Sequence, residues 1–376
     1  MIEPRAYSRA LLAALVLGLV LRLGAAVVVD SAARRQGSIC LFPDANIYWQ
    51  LADAILRGGP YRVFQWEVPH DALRTPGFPV FLAVCRAIGG DPTLFARVAQ
   101  AVLGTVAIGL NAWLIWLVRP SWRLVAITAW LTALDPFVVG FTPLLLSEAL
   151  FLPLLLAMLV GLGKAWHTKR ADLASLTTGL AGGCAILVKP SFALFVPLIL
   201  GPWLISAPKL ATLRKTALVG LGAVMIMSPW WVRNVRHYQR FVATALWGGA
   251  SLYDGLNPEA TGASDMRFLE RDDLRTLDEV AQDEELKRRA WQFCREHPDR
   301  VMTLALAKAA RFWSPWLNAD AGRSNLLMVA TTLWTVPLYL LILVGLWRLR
   351  HLHDHDRGPD LAPARAVLAA GRTVTP

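Results

Sequence analysis

The sequence predicts an all-α polytopic membrane protein with roughly eight transmembrane helices, a long first extracytoplasmic loop containing interfacial helices, and a second extracytoplasmic excursion before the last helix. Three observations carry that expectation. Of the 376 residues, 55% are hydrophobic, and the mean hydropathy is +0.44; a soluble domain of this length does not bury so much apolar mass. Several apolar runs approach the roughly 20 residues that cross a hydrocarbon core about 30 Å thick, among them Ala10 to Val29, Val98 to Val118, Thr212 to Ser228 and Leu326 to Trp347. Finally, the net charge of +11 is concentrated in the short gaps between apolar runs: Arg119 and Arg123; Lys164, Lys169 and Arg170; Lys209, Arg214 and Lys215; Arg348 and Arg350. The positive-inside rule makes those gaps cytoplasmic.

Taken in order, Ala10 to Val29 leaves the cytoplasm with Arg5 and Arg9 behind it. It is long, contains Arg22 and ends Val-Val-Val-Asp, which reads as a retained anchor rather than a cleaved signal peptide. Phe78 to Ile88 is apolar but too short to span, so it belongs to the outer face as a re-entrant or interfacial helix. Were it to span, every later basic gap would invert. The remaining spans are expected near 98–118, 123–139, 146–163, 172–188, 190–206, 212–229 and 326–347, with both termini cytoplasmic. Lys189-Pro190 leaves almost no loop within the pair at 172–206. Arg34 and Arg35 lie outside against the rule, an exception that long loops tolerate.

These spans organise the chain into a transmembrane catalytic core at 1–229 that includes the first loop at 30–97, an extracytoplasmic segment at 230–325, a last helix at 326–347 and a cytoplasmic tail at 348–376. Within the segment, Asp278 to Glu296 has helical character: Leu286, Ala290, Phe293 and Cys294 share one side, and Glu284 with Arg288 and Glu285 with Arg289 form i,i+4 pairs. Val301 to Trp316 looks interfacial, with Trp313 and Trp316 at headgroup depth. The tail after His351 is expected to be disordered. The cysteines, Cys40, Cys85, Cys184 and Cys294, show no metal-ligand spacing, although Cys40 and Cys294 share the outer face and a disulfide between them stays open. No basic run is interleaved with aromatics on a soluble domain, so nucleic acid is not an expected partner. No internal repeat suggests an inverted-repeat transporter.

The most informative stretch follows the first helix. Phe42-Pro43-Asp44 precedes Tyr48, then come Gly58-Gly59-Pro60-Tyr61 and Arg74-Thr75-Pro76-Gly77-Phe78-Pro79. Asp44 has two readings: a helix N-cap, or a carboxylate base whose basicity is raised at a membrane surface of low polarity.

The ordered motifs, Pro43-Asp44-x-x-x-Tyr48, Leu56-x-x-Gly59-then-Tyr61 and Arg74-x-Pro76-Gly77-Phe78-Pro79-x-Phe81-Leu82-Ala83, resemble the first extracytoplasmic loop of the GT-C polyprenyl-phosphate-dependent glycosyltransferases. The branch they are most similar to comprises the bacterial relatives of protein O-mannosyltransferases and of the lipid A aminoarabinose transferase. Further matches follow in order: Ser147-Glu148; Gly182 through Leu187 to Lys189-Pro190; Pro229-Trp230-x-x-Arg233-Asn234; Gly248-Gly249 through Tyr253 to Asn257-Pro258 and Gly262; and His297-Pro298 before Phe312-Trp313. The resemblance spans residues about 10 to 347.

That resemblance implies Asp44 as the catalytic base. One carboxylate suffices, because polyprenyl phosphate departs without a protonating acid. Arg74, Lys189 and Arg233, each at an outer membrane boundary, are the candidate cations for the donor phosphate, with snorkelling as the structural alternative. Asn234, grouped with these cations, either orients Arg233, touches the sugar or caps a turn. The resemblance also assigns Glu148 to the catalytic group, where it binds the acceptor, a metal or the base-orienting network, against a plain interaction with its helix N-terminus. Tyr48, Tyr61 and His70 are the candidate sugar- or acceptor-binding groups, and Trp66 offers stacking, beside the alternative of an interfacial aromatic belt. Arg22, inside the first apolar span, is expected to pair with Asp135. No metal ligand set and no cofactor is indicated; a divalent cation stays open.

The implied function is inverting transfer of a sugar from a polyprenyl-phosphate-linked donor to a lipid, glycan or protein acceptor at the outer face of a bacterial-type inner membrane. The lipid bilayer is the remaining partner. Alternatives are a transporter or flippase of lipid-linked glycans and a noncatalytic subunit of an envelope-glycan assembly complex.

Overall fold

The computed structural model describes residues 4–88, 90–168, 172–206, 210–316 and 325–355. Lys169, Arg170, Lys209 and the tail beyond residue 355 lie outside the described residues. The chain divides into two compact units, residues 1–309 and 310–376.

In the first unit, α1 (Pro4–Arg35) and α2 (Pro43–Leu56) lead into a two-stranded ribbon of β1 (Val63–Gln65) and β2 (Val68–His70), followed by α3 (Gly77–Ala87). Next come α4 (Pro92–Val118), α5 (Trp122–Leu134), α6 (Pro136–Phe141), α7 (Glu148–His167), α8 (Asp172–Val188), α9 (Val196–Ser206) and α10 (Leu210–Tyr238). The unit closes with α11 (Gly248–Gly255), α12 (Asp272–Arg275), α13 (Glu279–Glu296) and most of α14 (Pro298–Phe312). In the second unit, α15 (Asn325–His355) is a largely exposed apolar rod, and Trp313 packs on the edge of Tyr339 with ring centroids 5.8 Å apart.

The all-α class holds apart from the small ribbon. Among the described residues, five helices are able by length and apolarity to cross a membrane: Ala6–Arg35, Pro92–Val118, Glu148–Trp166, Leu210–Tyr238 and Met328–Arg348. A sixth arises if α5 and α6, bent by 46°, form one broken span. The expected count of eight needs α8, at 17 residues, and α9, at 11, which fall short of that length. Their shortness has a local cause, since Lys189-Pro190 ends α8 and opens a 3₁₀ turn at Pro190–Leu194 before α9 begins. Prolines lack the N–H that a continuing helix requires.

The break between α5 and α6 corrects one expectation. Asp135 does not form an ion pair with Arg22; its carboxylate caps α6, accepting from the N–H groups of Phe137 and Val138 at 2.9 and 3.0 Å. Arg22, fully buried, donates instead to the carbonyls of Gly18, Ala133 and Thr132 at 3.0, 3.2 and 3.1 Å. The last carbonyls of a helix have no intrahelical donor. Pro136 truncates α5 so that two of them become the guanidinium's acceptors.

A second buried arginine governs how the first loop leaves the bundle. Arg97 in α4 pairs with Asp30 in α1 and donates to Pro143 O at 3.1 Å and Ile39 O at 2.8 Å. Asp30 also accepts from Arg34 at 2.7 Å and from the Thr93 hydroxyl at 3.1 Å. Every element around the exit of the loop is thereby tied to one charge pair. Elsewhere α8 and α10 approach through glycine: a Cβ on Gly179 would stand 2.0 Å from Val219 O, and one on Gly222 would stand 2.4 Å from Leu176 O. Small residues at such a crossing let backbones touch.

The ribbon pairs Val63 with His70 and Gln65 with Val68, and its two-residue tip places Trp66 at φ 47° and Glu67 at φ 68°. Two successive positive φ values suit a primed turn, normally made with glycine or asparagine. Outside contacts hold the tip: Trp66 Nε1 donates to Glu270 at 3.3 Å, and Glu67 pairs with Arg275. Helix α13 buries Leu286, Ala290 and Phe293 as expected, whereas Cys294 is only half-buried. Of the two expected i,i+4 pairs, Glu285 with Arg289 forms and Glu284 with Arg288 does not. Glu285 pairs with both Arg288 and Arg289 at 2.7 Å, and Glu284 reaches Arg240 at 2.5 Å. Cys40 and Cys294 are both free thiols, and burial pushes the Cys40 thiol up to about 11.

Breaking a buried ion pair by removing one partner costs about 3–5 kcal/mol, whereas exchanging both for apolar groups is often close to neutral. Asp30→Ala is therefore expected to lower thermal stability in detergent by that amount, and Asp30→Leu combined with Arg97→Met to recover most of it. A double variant no more stable than the single would show that the pair is not the constraint.

Candidate active site

The residues singled out in the first loop converge at the end of the bundle where α2, α3, α7 and α8 meet. Phe42, not Asp44, occupies the N-cap position of α2 and Pro43 opens the helix, leaving the Asp44 carboxylate in the first turn with no capping bond. A carboxylate is favoured there by the helix dipole. It extends to Arg74, with Oδ1 to Nη2 at 2.9 Å; Asp44 is 56% exposed and Arg74 only 14%. Tyr48 stands one turn after Asp44 on the same face, buried edge-on against Phe78.

A second ion pair faces the first across Tyr48. Glu148 lies in the first turn of α7, accepts from the Ser147 hydroxyl at 3.3 Å and pairs with Lys189 Nζ at 2.6 Å. Burial pushes the Tyr48 hydroxyl above its ordinary value; Arg74 and a hydrogen bond with Ser147 oppose that shift, while Asp44 and Glu148 reinforce it. Both carboxylates and Arg74 thus act on one phenol, and the four charged groups cancel. Proximity between the loop and Lys189 is set by backbone contact: a Cβ on Gly77 would meet Leu187 C and O at 2.6 Å and Val188 N at 2.8 Å.

Arg74 is the most constrained of the four groups. Its backbone carbonyl accepts from the Tyr61 hydroxyl at 3.1 Å, and its guanidinium lies 5.3 Å from the Trp247 ring centroid and 5.9 Å from that of Tyr48. Its Nε is buried and has no hydrogen-bond partner among the described residues. An unmatched donor of this kind is costly unless something occupies it.

Arg233 belongs to a neighbouring cluster rather than to this quartet. It stacks near Trp230, Tyr238 and Tyr61 at 5.1, 5.8 and 5.9 Å and stands 3.9 Å from Asp71. Asp71, itself buried, takes a two-pronged bond from Arg62, whose Nε lies at 3.0 and 3.1 Å and whose Nη2 lies at 2.8 Å, and faces His237 Nε2 at 3.2 Å. Two guanidinium groups, of Arg62 and Arg233, share the Asp71 carboxylate here. Tyr61 joins the clusters, with its ring beside Arg233 and its hydroxyl on Arg74; burial pushes that hydroxyl above its ordinary value.

Asn234 takes one of its expected roles, and His70 takes another position. Asn234 is fully buried, accepting from Arg233 at 3.0 Å and donating to Val242 O at 3.1 Å, so it orients Arg233 and offers no surface to a sugar. His70 is 2% exposed, packed against Trp247 and 3.5 Å from Glu279, and is thereby removed from the open face it was expected to line. Trp66 is committed to the ribbon tip. Sequence reasoning missed Trp247, Arg62 and Asp71. The pair of glycines after Trp247 was visible, but nothing local indicates that this tryptophan reaches Arg74, 173 positions away. Among the described residues no three His, Cys, Asp or Glu side chains gather so as to hold a metal ion.

Because the Gly77 contact is backbone against backbone, an added methyl has no flexible side chain to displace. Gly77→Ala is expected to cost about 1–3 kcal/mol, the usual range for overpacking, as read from the thermal midpoint in detergent. An unchanged midpoint would mean that α3 shifts freely relative to Lys189.

Residues 73–232 match the family model described as dolichyl-phosphate-mannose-protein mannosyltransferase. The matched stretch contains Arg74, Glu148 and Lys189 and ends one residue before Arg233; Asp44 precedes it. No curated protein and no solved structure matches the chain. Over residues 73–232 the chain is thus similar to the dolichyl-phosphate-mannose-protein mannosyltransferases, a GT-C type of glycosyltransferase, and it carries helices able to cross a membrane.

Proposed function

We propose that the chain is an inverting glycosyltransferase that transfers a sugar from a polyprenyl-phosphate donor to an envelope acceptor at the extracytoplasmic face, with Asp44 as base. One observation carries this reading: Asp44 and Arg74, a base and a phosphate-binding cation, are already in contact beside a second acid and cation, Glu148 and Lys189. The face follows from the basic gaps at the opposite ends of the helices. It also requires α8 and α9 to cross as short spans, which local thinning of the bilayer permits.

In this reaction the Asp44 carboxylate takes the proton from the acceptor hydroxyl as its oxygen attacks the anomeric carbon. The bond from that carbon to the phosphate oxygen breaks, and its electron pair stays on the phosphate. The sugar inverts, and polyprenyl phosphate leaves with one more negative charge than it brought. Arg74 and Lys189 stand where that charge grows. Guanidinium binds phosphate through paired donors, and the unpartnered Nε of Arg74 supplies one beside the Nη2 now held by Asp44.

The pairing has a kinetic consequence. In the free protein both cations are neutralised by carboxylates, so a donor phosphate competes with Asp44 for Arg74. Its arrival releases the base. Acceptor activation therefore follows donor binding, and an uncharged acceptor alone does not disturb the pair. Glu148, held by Lys189, is freed in the same exchange and faces the acceptor from the other side of Tyr48.

Asp44→Asn keeps the shape and removes the base, and is expected to lower transfer by 10²–10⁴-fold, the usual contribution of a general base. Release of polyprenyl phosphate from membranes supplied with the native donor measures it. Retention of full transfer would rule out the base assignment. Lys189→Gln is expected to raise the KM for donor, and an effect confined to the acceptor KM would reassign Lys189.

A further inference from the structure

The deepest carboxylate contact between the first loop and the outer segment lies outside every group assigned so far. Glu279, in the first turn of α13, is 5% exposed. Its carboxylate accepts from two successive backbone N–H groups of the first loop, Asp71 N at 2.8 Å and Ala72 N at 3.0 Å, and from the Tyr238 hydroxyl at 2.7 Å. His70 Nδ1 approaches to 3.5 Å without a hydrogen bond. Successive amides converging in this way form a concave anion site, filled here by a residue more than 200 positions away. No lysine or arginine among the described residues pairs with it.

Each of these donors leads to a cation of the site. Asp71 is the carboxylate that holds Arg62 and faces Arg233 and His237. Ala72 is two residues before Arg74, and its carbonyl accepts from Leu246 N at 2.9 Å, which places Trp247 beside the Arg74 guanidinium. Tyr238 presents its ring to Arg233 at 5.8 Å. One buried carboxylate thus fixes the backbone carrying Arg74 and both the carboxylate and the aromatic ring against which Arg233 lies. Removing it leaves three donors without an acceptor, a loss felt in geometry before it is felt in global folding.

We infer that Glu279 is a positioning residue for donor-phosphate binding: through Asp71, Ala72 and Tyr238 it sets the placement of Arg74 and Arg233 against the phosphate, making the outer segment a structural part of the donor site. The inference rests on the proposed function for the identity of the ligand, and on the geometry alone for the identity of the residue.

The test uses equilibrium binding of radiolabelled farnesyl phosphate to the full chain in detergent, with no acceptor present. Glu279→Gln, which removes the charge and one of the two accepting oxygens, is expected to weaken binding about tenfold. Arg74→Lys is expected to weaken it as well, and the double variant to be less than additive, as for groups acting through one another. Gly179→Ala, destabilising at the α8–α10 crossing, serves as the control. It is expected to lower the thermal midpoint while leaving the affinity unchanged. If Glu279→Gln does not fold, Tyr238→Phe, which removes one donor, is expected to weaken binding about threefold. Affinity within the error of the unmodified chain in the folded variant, or full additivity with Arg74→Lys, would overturn the positioning role. Failure of the unmodified chain to bind farnesyl phosphate would instead overturn the donor assignment and take the inference with it.

Discussion

The Asp30–Arg97 pair is the constraint on which the rest of the loop end depends. Charge buried between helices is expensive, and this pair is tolerated because its remaining donors are spent on carbonyls at two places where the chain turns, Ile39 and Pro143. Those bonds determine where the first loop emerges and where the turn before α7 closes. Asp44 follows five residues after the first anchor, and Glu148 follows five after the second. The two acids of the proposed site are thus placed by the same arginine.

Upon that anchor the site is built as a balanced set of charges that a ligand unbalances. A membrane-surface cavity with free cations would collect lipid headgroups, and one with free carboxylates would be hard to keep ionised. Pairing Asp44 with Arg74 and Glu148 with Lys189 avoids both conditions. The arginine cluster around Asp71 lies beside the quartet, joined to it by Tyr61.

Much of this was legible in the sequence, for reasons that differ among residues. Asp44, Arg74, Glu148 and Lys189 lie at helix boundaries marked by proline and by changes in hydropathy, signals that are local. Asp30 and Arg97 were not legible as partners: one falls at the end of an apolar run and the other just before one, where a charge reads as a boundary group. Arg22 was recognised as anomalous, yet its solution was misjudged because sequence shows charges and not the carbonyls that a truncated helix leaves open. Glu279 was hidden for a related reason. It reads as the first-turn acid of an amphipathic helix, a common surface pattern, and its acceptor role depends on amides that no sequence pattern displays. The ribbon was missed because Trp66-Glu67 lacks the asparagine or glycine that normally marks such a tip.

The contact at Gly77 bears on how such a site changes its substrate. The stretches that carry Arg74 and Lys189 rest on each other main chain against main chain at Gly77. Their separation is consequently a property of peptide geometry, insensitive to which residues line the cavity on either side. Under the proposed roles of Arg74 and Lys189, such a gauge for the phosphate remains constant while the walls around it vary, so that sugar and acceptor preferences can drift on a fixed measure of the group they share.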